Sequence, residues 1–562
     1  MVRIHASFTE LSARERAENL LDTGSARELL GPFSHLKSPH LLKQGIVPQN
    51  DDGMIVMKGR FEGRDTVVIA MEGKFQGGGI GEISGAKFAA ALQEVLNDNQ
   101  AGHPVFPVII MDTGGVRLQE ANYGLLAIAE IQDLLVSIRE YVPVIGLIPG
   151  KVGCFGGMSM TCSLFSYIIM TKEGRLTLNG PEVIEQEAGI EEWDSSDKAF
   201  TYRTIGGEHR VAQGLADVLT EDSREAVHQA VKNCMEKGIP VHRSTMVEEY
   251  RAKIDKAAPG NAVSKKAVPA NAASENTRSE NVAPGSEKNS AGLRGRVWFE
   301  ALTEDAITGN LGSIGSVLCR DIILGNRTCR VLAVTADPHT IFPRTRKGEV
   351  GLQQGWELAR LIRQAVEEDN DSPEKRALIA VVDVPSQAYG YLEEYHGIFL
   401  SCAASVNAYA MARHAGHPVI TVIVGNAISG AFLAHGLQGS HMIALDDETI
   451  TVHAMSKKSA ARITKRSIED MDKAADSVAA IAYDIHSFNC LGAVNTLLKF
   501  PDHDHPSEDD VRVMKEKIAE GIRESEANGN TLDYRLKTPN APKYRALSIQ
   551  VRRQMAEAWR EK

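Results

Sequence analysis

A chain of 562 residues is longer than one hydrophobic core ordinarily serves, so two or more domains are expected. Its 43% apolar, 24% charged and 6% aromatic composition is that of an ordinary soluble globular protein. The net charge of −11 argues against nucleic acid as a partner, because phosphate binding wants a basic face.

The chain opens with MVRIHASFTELSARERAENLL, charged and helical in pattern, and shows no secretory signal; Ser12 and Glu15 are spaced for a capping box. No uninterrupted apolar run approaches the ~20 residues of a membrane span, so no membrane partner is expected. Short β-branched runs then alternate with helical stretches. TVVIAM, PVIIMD, PVIGLI and SYIIM are predicted strands, with GLLAIAEIQDLLVSIRE a helix among them. Residues 256–292 differ from everything around them: Ala, Pro, Ser, Asn, Glu and Lys, no aromatic, and only isolated valines. Such a stretch cannot bury enough surface to offset its ordering entropy and is predicted to be a flexible linker. It separates 1–255 from 293–562. Beyond it, RVLAVTA, ALIAVVD, PVITVIV and HMIAL are predicted strands, with GIFLSCAASVNAYAMARHAG a helix. Strand–helix alternation on both sides means an α/β fold of βα units with mostly parallel sheet.

Cys154, Cys162, Cys234, Cys319, Cys329, Cys402 and Cys490 are scattered, odd in number and form no C-x-x-C pair. That pattern excludes a zinc ribbon and suggests no disulfide framework, so a reducing, cytoplasmic setting is expected.

One device is written twice. PVIGLIPG (Pro143–Gly150) and PVITVIVG (Pro418–Gly425) share a frame, and their surroundings match in order. In the first half a strand ends in MDTGGVRLQE, a helix follows, then PVIGLIPG, then KVGCFGGMSM. In the second, a strand ends in VDVPSQAYGYLEEYHGI, a helix follows, then PVITVIVG, then NAISGAFLAH. This order predicts an internal duplication. Gly150, Gly153, Gly156 and Gly157 crowd one strand-to-helix turn, and Gly425, Ser429 and Gly430 the other. Glycine lets a ligand approach the backbone, and the first N–H groups of a helix lack intrahelical partners. Such a turn suits a carboxylate, a phosphate or a developing oxyanion, although close packing of helix on sheet also calls for glycine. Neither turn matches a phosphate loop or a dinucleotide fingerprint. The loops DTGGVR and DVPSQAYG also follow strands, where an open parallel sheet places its ligand. An N–H from each loop and one from the matching turn predict two oxyanion holes, one per half.

These residues resemble the carboxyltransferase branch of the crotonase superfamily. GGGIGEISGAKFAAAL, DTGGVRLQE, CFGGM, NGPEVIEQEAG and GGEHRVAQGLADVL look like its N-type domain; DVPSQAYGYLEEYHGI and GNAISGAFLAHGL look like its C-type domain. Within that branch the likeness is to the beta and gamma subunits of malonate decarboxylases, fused here in one chain. The resemblance implies two ClpP/crotonase-like domains, 1–255 and 293–562. It implies an enzyme that converts malonyl-S-acyl carrier protein to the acetyl form and CO2. It also implies three partners: the acyl carrier protein, with its dephospho-CoA-derived prosthetic group; an alpha subunit exchanging malonate for acetate on it; and a malonyl transferase that loads it. No cofactor is expected on this chain itself, and self-association is left open. One alternative is a carboxyltransferase passing the carboxyl group to biotin on a carrier protein; another is a non-catalytic docking scaffold.

Carried onto this sequence, the first hole is expected at Val116 and Gly157 and the second at Ser386, Gln387 and Gly430. Gly114, Gly115, Arg117 and Gly156 are the expected substrate contacts. Tyr389, Glu393, Glu120 and Tyr123 are candidate proton donors, with Tyr389 first. FPRTRKGE supplies Arg344, Arg346 and Lys347 as a basic patch for an acidic carrier or its phosphates. Cys154 lies in the first turn, but no base is apparent beside it, so packing is its expected role. Asp502–His505 (DHDH) is expected to be a solvated loop, and no metal site is expected.

Overall fold

The computed structural model describes residues 7–257 and 293–561. The expected linker falls outside them, except that Lys256 and Ala257 end a helix, Val247–Ala257. The capping box at Ser12 and Glu15 starts the first helix, Ala13–Leu20.

Two sheets organise the chain. The first contains β1 (Arg27–Leu29), β2 (Met54–Phe61), β3 (Arg64–Met71), β4 (Phe106–Ile110), β5 (Ile145–Ile148), β6 (Tyr167–Thr171) and β7 (Val218–Thr220), side by side in that order. The second contains β8 (Val317–Leu324), β9 (Arg327–Val334), β10 (Ala377–Val384), β11 (Val419–Ile428), β12 (His441–Leu445), β13 (Val452–His453) and β14 (Thr496–Leu498). Its order is β14-β12-β11-β10-β9-β8, with β13 paired to the end of β11. Each sheet has an antiparallel hairpin, β2–β3 and β8–β9, and continues parallel beyond it; in the first sheet β1 pairs antiparallel with the outer side of β2. The central parallel strands β4, β5 and β10 are buried along nearly their whole length, which explains why they read as unbroken apolar runs.

The duplication extends to hydrogen bonds. Helices Glu82–Gln100 and Leu352–Glu368 both start on a glycine whose N–H is taken by the side chain three residues on: Gly81 to Ser84 Oγ at 2.9 Å, Gly351 to Gln354 Oε1 at 3.1 Å. Asp112, just beyond β4, and Asp383, near the end of β10, each tie a central strand to its neighbour's C-terminal side: to the segment after β5 in the first half, and to the last residues of β11 in the second. Asp112 Oδ1 accepts from Val152 N–H at 2.6 Å, and Asp383 Oδ1 from Asn426 N–H at 3.0 Å.

The halves share one hydrophobic core. Helix Ala121–Ile138 is apolar enough to cross a membrane by length and composition, yet it is buried in that core. Its Asn122 Nδ2 donates to the Val452 carbonyl at 3.1 Å, and Asp133 accepts from Arg413 at 2.8 Å and pairs with His414 at 2.7 Å. The C-terminal helix, Ala546–Arg560, lies on the first half. Ser548 N–H reaches Glu82 Oε1 at 3.0 Å, and Trp559 Nε1 reaches Asp98 Oδ2 at 2.9 Å.

Candidate active site between the halves

The two duplicated helix starts face each other across the boundary. A Cβ on Gly157 would lie 2.7 Å from Leu433 Cδ1, and one on Gly430 would lie 3.3 Å from Leu178 Cδ1. Beside them opens a cavity of about 720 Å³ lined by both halves. Gly114, Val116, Gly156 and Gly157 come from the first; Gln387, Tyr389, Ser429 and Gly430 come from the second.

The first pair of donors is open. Loop 114–117 is strapped down through its other groups: Gly114 N–H to the Gly77 carbonyl at 2.8 Å, Ile80 N–H to the Gly115 carbonyl at 2.9 Å, and Arg117 N–H to the Ile80 carbonyl at 2.9 Å. Gly115 and Gly156 adopt φ of +100° and +58°, a region side chains avoid, and a Cβ on Gly115 would sit 3.3 Å from Gly156 Cα. That contact brings the loop against the helix start. Gly156 N–H is consumed by the Leu178 carbonyl at 3.0 Å. The N–H groups of Val116 and Gly157 donate to no group among the described residues, and both residues line the cavity.

The second pair differs from expectation. β11 continues through Gly425 to Ile428, so Gly425 belongs to a strand; its missing side chain makes room for Asp383, whose Oδ1 would lie 2.1 Å from an added Cβ. Ser429 takes the position of Gly156, with φ +59°. Gly430 N–H is already engaged, donating to Gln387 Oε1 at 3.1 Å. Gln387 Nε2 donates to Asn179 Oδ1 at 2.7 Å, and Asn179 Nδ2 to the Ala388 carbonyl at 2.9 Å. Behind Asn179, the buried Glu394 accepts the N–H groups of Leu178 at 3.1 Å and Asn179 at 2.6 Å, with Arg210 at 3.9 Å. Burial pushes the Glu394 carboxyl above its ordinary range, against the pull of Arg210 and these hydrogen bonds. Ser386 is not on the cavity wall: its carbonyl accepts from Val350 N–H at 3.0 Å, and its side chain hydrogen-bonds Tyr389. The loop donor itself stays open, since Gln387 N–H, the counterpart of Val116 N–H, donates to no group among the described residues; only the helix-start donor, Gly430, is capped.

The expected cations also change. Arg117 is 2% exposed and paired with Asp52 at 2.7 Å and Glu120 at 2.8 Å, so its guanidinium holds the loop instead of meeting a ligand. Arg344 pairs with Glu192 at 2.7 Å; Arg346 and Lys347 are exposed, and none of the three lines the cavity. Arg117 does line it, and Arg175, Arg462 and Lys465 line it as well. No motif singled these last three out, because they reach the cavity from segments far from either glycine turn. Asn179 lay inside a recognised motif, but its partnership with Gln387 crosses between domains.

Among the proton donors, Tyr389 is on the cavity wall, and burial raises its phenol well above the ordinary value, keeping it protonated. Glu393 is tucked beneath Gly390, 2% exposed and off the wall, where burial pushes it up to about 7. Glu120 accepts from Ser38 Oγ at 2.7 Å besides holding Arg117, and Tyr123 donates to the Tyr544 carbonyl; neither lines the cavity. Cys154 is fully buried and its thiol is raised by burial, which makes it a packing residue. In DHDH, His505 pairs with Asp502 at 3.1 Å on the surface.

Residues 7–276 match the carboxyl transferase domain family, and residues 345–559 match the malonate decarboxylase gamma subunit family. Malonyl-S-ACP:biotin-protein carboxyltransferase MADC of Malonomonas rubra is 41% identical over 44% of this chain and 83% of its own length. MADD of the same organism, with the same description, is 34% identical over 32% of this chain and 63% of its own. A Pseudomonas malonate decarboxylase hetero-tetramer solved with malonate contains a chain 49% identical, covering 47% of this chain and 95% of that one, with a TM-score of 0.45. The chain belongs to the malonate-processing carboxyltransferases of the crotonase fold, with the beta-like and gamma-like units of a malonate decarboxylase joined in one polypeptide.

Proposed function

We propose that this chain decarboxylates a malonyl group carried as a thioester on an acyl carrier protein, releasing CO2 and leaving acetyl on the carrier. One observation carries the reading: of two duplicated donor pairs, both N–H groups of the first are open, whereas in the second the Gly430 N–H is taken by the Gln387 side chain. Loss of CO2 breaks one C–C bond, and its electron pair becomes an enolate with charge on the thioester oxygen. One oxyanion hole serves that step. Passing the carboxyl group to biotin would also build charge on the ureido oxygen, and would call on the second hole as well.

In this reading the thioester oxygen lies between the N–H groups of Val116 and Gly157, each worth ~3–4 kcal/mol in the transition state, or ~10²–10³ in rate. The departing carboxylate points toward Gln387 and Tyr389. Tyr389, protonated at neutral pH, then supplies the proton to carbon. The cavity's ~720 Å³ suits the arm of a carrier-borne prosthetic group, with Arg175, Arg462 and Lys465 available to its phosphates.

A second reading, transfer to biotin on a carrier protein, is favoured by the description of the 41%-identical relative. Carboxyl-labelled malonyl-carrier, incubated with the purified chain in the absence of biotin, separates the two. Release of labelled CO2 supports decarboxylation. Release only after a biotinylated carrier is added would establish transfer and overturn the leading assignment.

A further inference from the structure

Resting on the carrier-bound substrate just proposed, we infer that the carrier docks on helix Lys457–Thr464 and its C-cap, Lys465, and that its docking face is acidic. The sequence first suggested FPRTRKGE for this role, but that patch lies off the cavity. Helix Lys457–Thr464 runs onto it: Arg462, Ile463, Thr464 and Lys465 all line the wall.

Lys458, Arg462 and Lys465 follow i, i+4, i+7 spacing, which puts them on one helical face over ~10 Å. All three are exposed, and none forms an ion pair among the described residues. Their neighbours in the run are used otherwise. Lys457 pairs with Asp472, and Arg466 Nη1 donates to Gln44 Oε1 at 2.7 Å, fastening the segment to the first half. Glu187, on the facing helix Pro181–Ala188, is bonded to Ser459; Glu185 is the carboxylate near enough to Arg462 to feel its charge. Ile463, 46% exposed, and Ile468, 45% exposed, place apolar surface between and beside the cations. In a chain of net charge −11, a stripe of unpaired cations interleaved with exposed isoleucines and ending at a substrate-sized cavity fits an acidic helical partner that must deliver an arm into that cavity.

The test compares kcat/KM for malonyl-carrier with that for malonyl-N-acetylcysteamine, a thioester too small to use the stripe, at several salt concentrations. Lys458→Glu/Arg462→Glu/Lys465→Glu is expected to lower the carrier-to-small-thioester ratio at least tenfold and to flatten its salt dependence. An unchanged ratio in the folded triple variant would overturn the inference, as would an Arg346→Glu/Lys347→Glu chain that lost the preference in its place. Binding of unloaded carrier, followed by fluorescence anisotropy, needs no turnover and separates the two claims. Carrier bound by wild type and not by the triple variant supports docking even where no thioester is decarboxylated. Equal binding to both removes the docking surface and leaves the proposed reaction standing.

Discussion

Gly157 carries two demands that substitution can separate. As the first residue of its helix it offers an N–H with no partner, and as a close neighbour of Leu433 it has little room. Proline is accepted at that helical position; it removes the N–H and brings toward Leu433 the same Cβ that alanine would. Gly157→Pro is therefore expected to lower kcat ~10²–10³-fold, whereas Gly157→Ala, which keeps the N–H and displaces only the end of Leu433, should retain activity within about tenfold of wild type. Steady-state kinetics beside circular dichroism would show whether the amide or the packing matters. Glu393 offers a pH signature. Its folded-state carboxyl titrates at about 7, against 4.5 ordinarily, so the folded chain holds a proton that the unfolded chain releases. The associated stability is complete below pH 4.5 and is lost as pH rises through 7, a change of ~3 kcal/mol. Glu393→Gln should flatten that fall, so melting temperatures at pH 5 and pH 8 should lie closer together in the variant. Parallel profiles would show that another group is responsible.

At the scale of elements, each central strand end is tied by a buried aspartate to the C-terminal end of the next strand or the segment just beyond it. Asp112 holds the Val152 and Gly153 amides and also Arg16 Nη1, at 3.0 Å, in a pair of which neither side chain is more than 3% exposed. Asp112→Ala leaves that guanidinium uncompensated and is expected to cost ~3–5 kcal/mol, visible as a drop of many degrees in melting temperature. The strands themselves were legible because buried parallel strands must be apolar on both faces. The hairpin partners β2 and β8 were not singled out: MIVMKGRF and VLCRDIIL mix apolar and charged residues, as antiparallel strands at or near a sheet edge allow. The glycine turn of the second half was misplaced for a related reason. Gly425 looks like a turn residue, but its smallness serves Asp383 inside a strand.

At the scale of the molecule, the boundary between halves is made by the shared core, the C-terminal helix and the Glu394–Asn179–Gln387 chain, so covalent connection is not what holds it. A protease site inserted within residues 258–292 and then cut should leave one particle on gel filtration, with malonyl-thioester turnover close to that of the uncut chain; separation into two halves would show that the tether is required. The repeated Pro-Val-Ile frame, the order of motifs around it and the apolar strand runs already determined a duplicated α/β chain with paired donor loops, because strand burial and helix-start geometry constrain residues close in sequence. Which donors remain open was decided only by tertiary structure. Gln387 reaches Gly430 because Asn179, from the other half, holds its amide, and the Arg117 guanidinium is engaged because Asp52 and Glu120 lie beside it. A hydrogen bond is satisfied by whatever the fold brings within ~3 Å, and residues hundreds of positions apart leave no local pattern of that meeting.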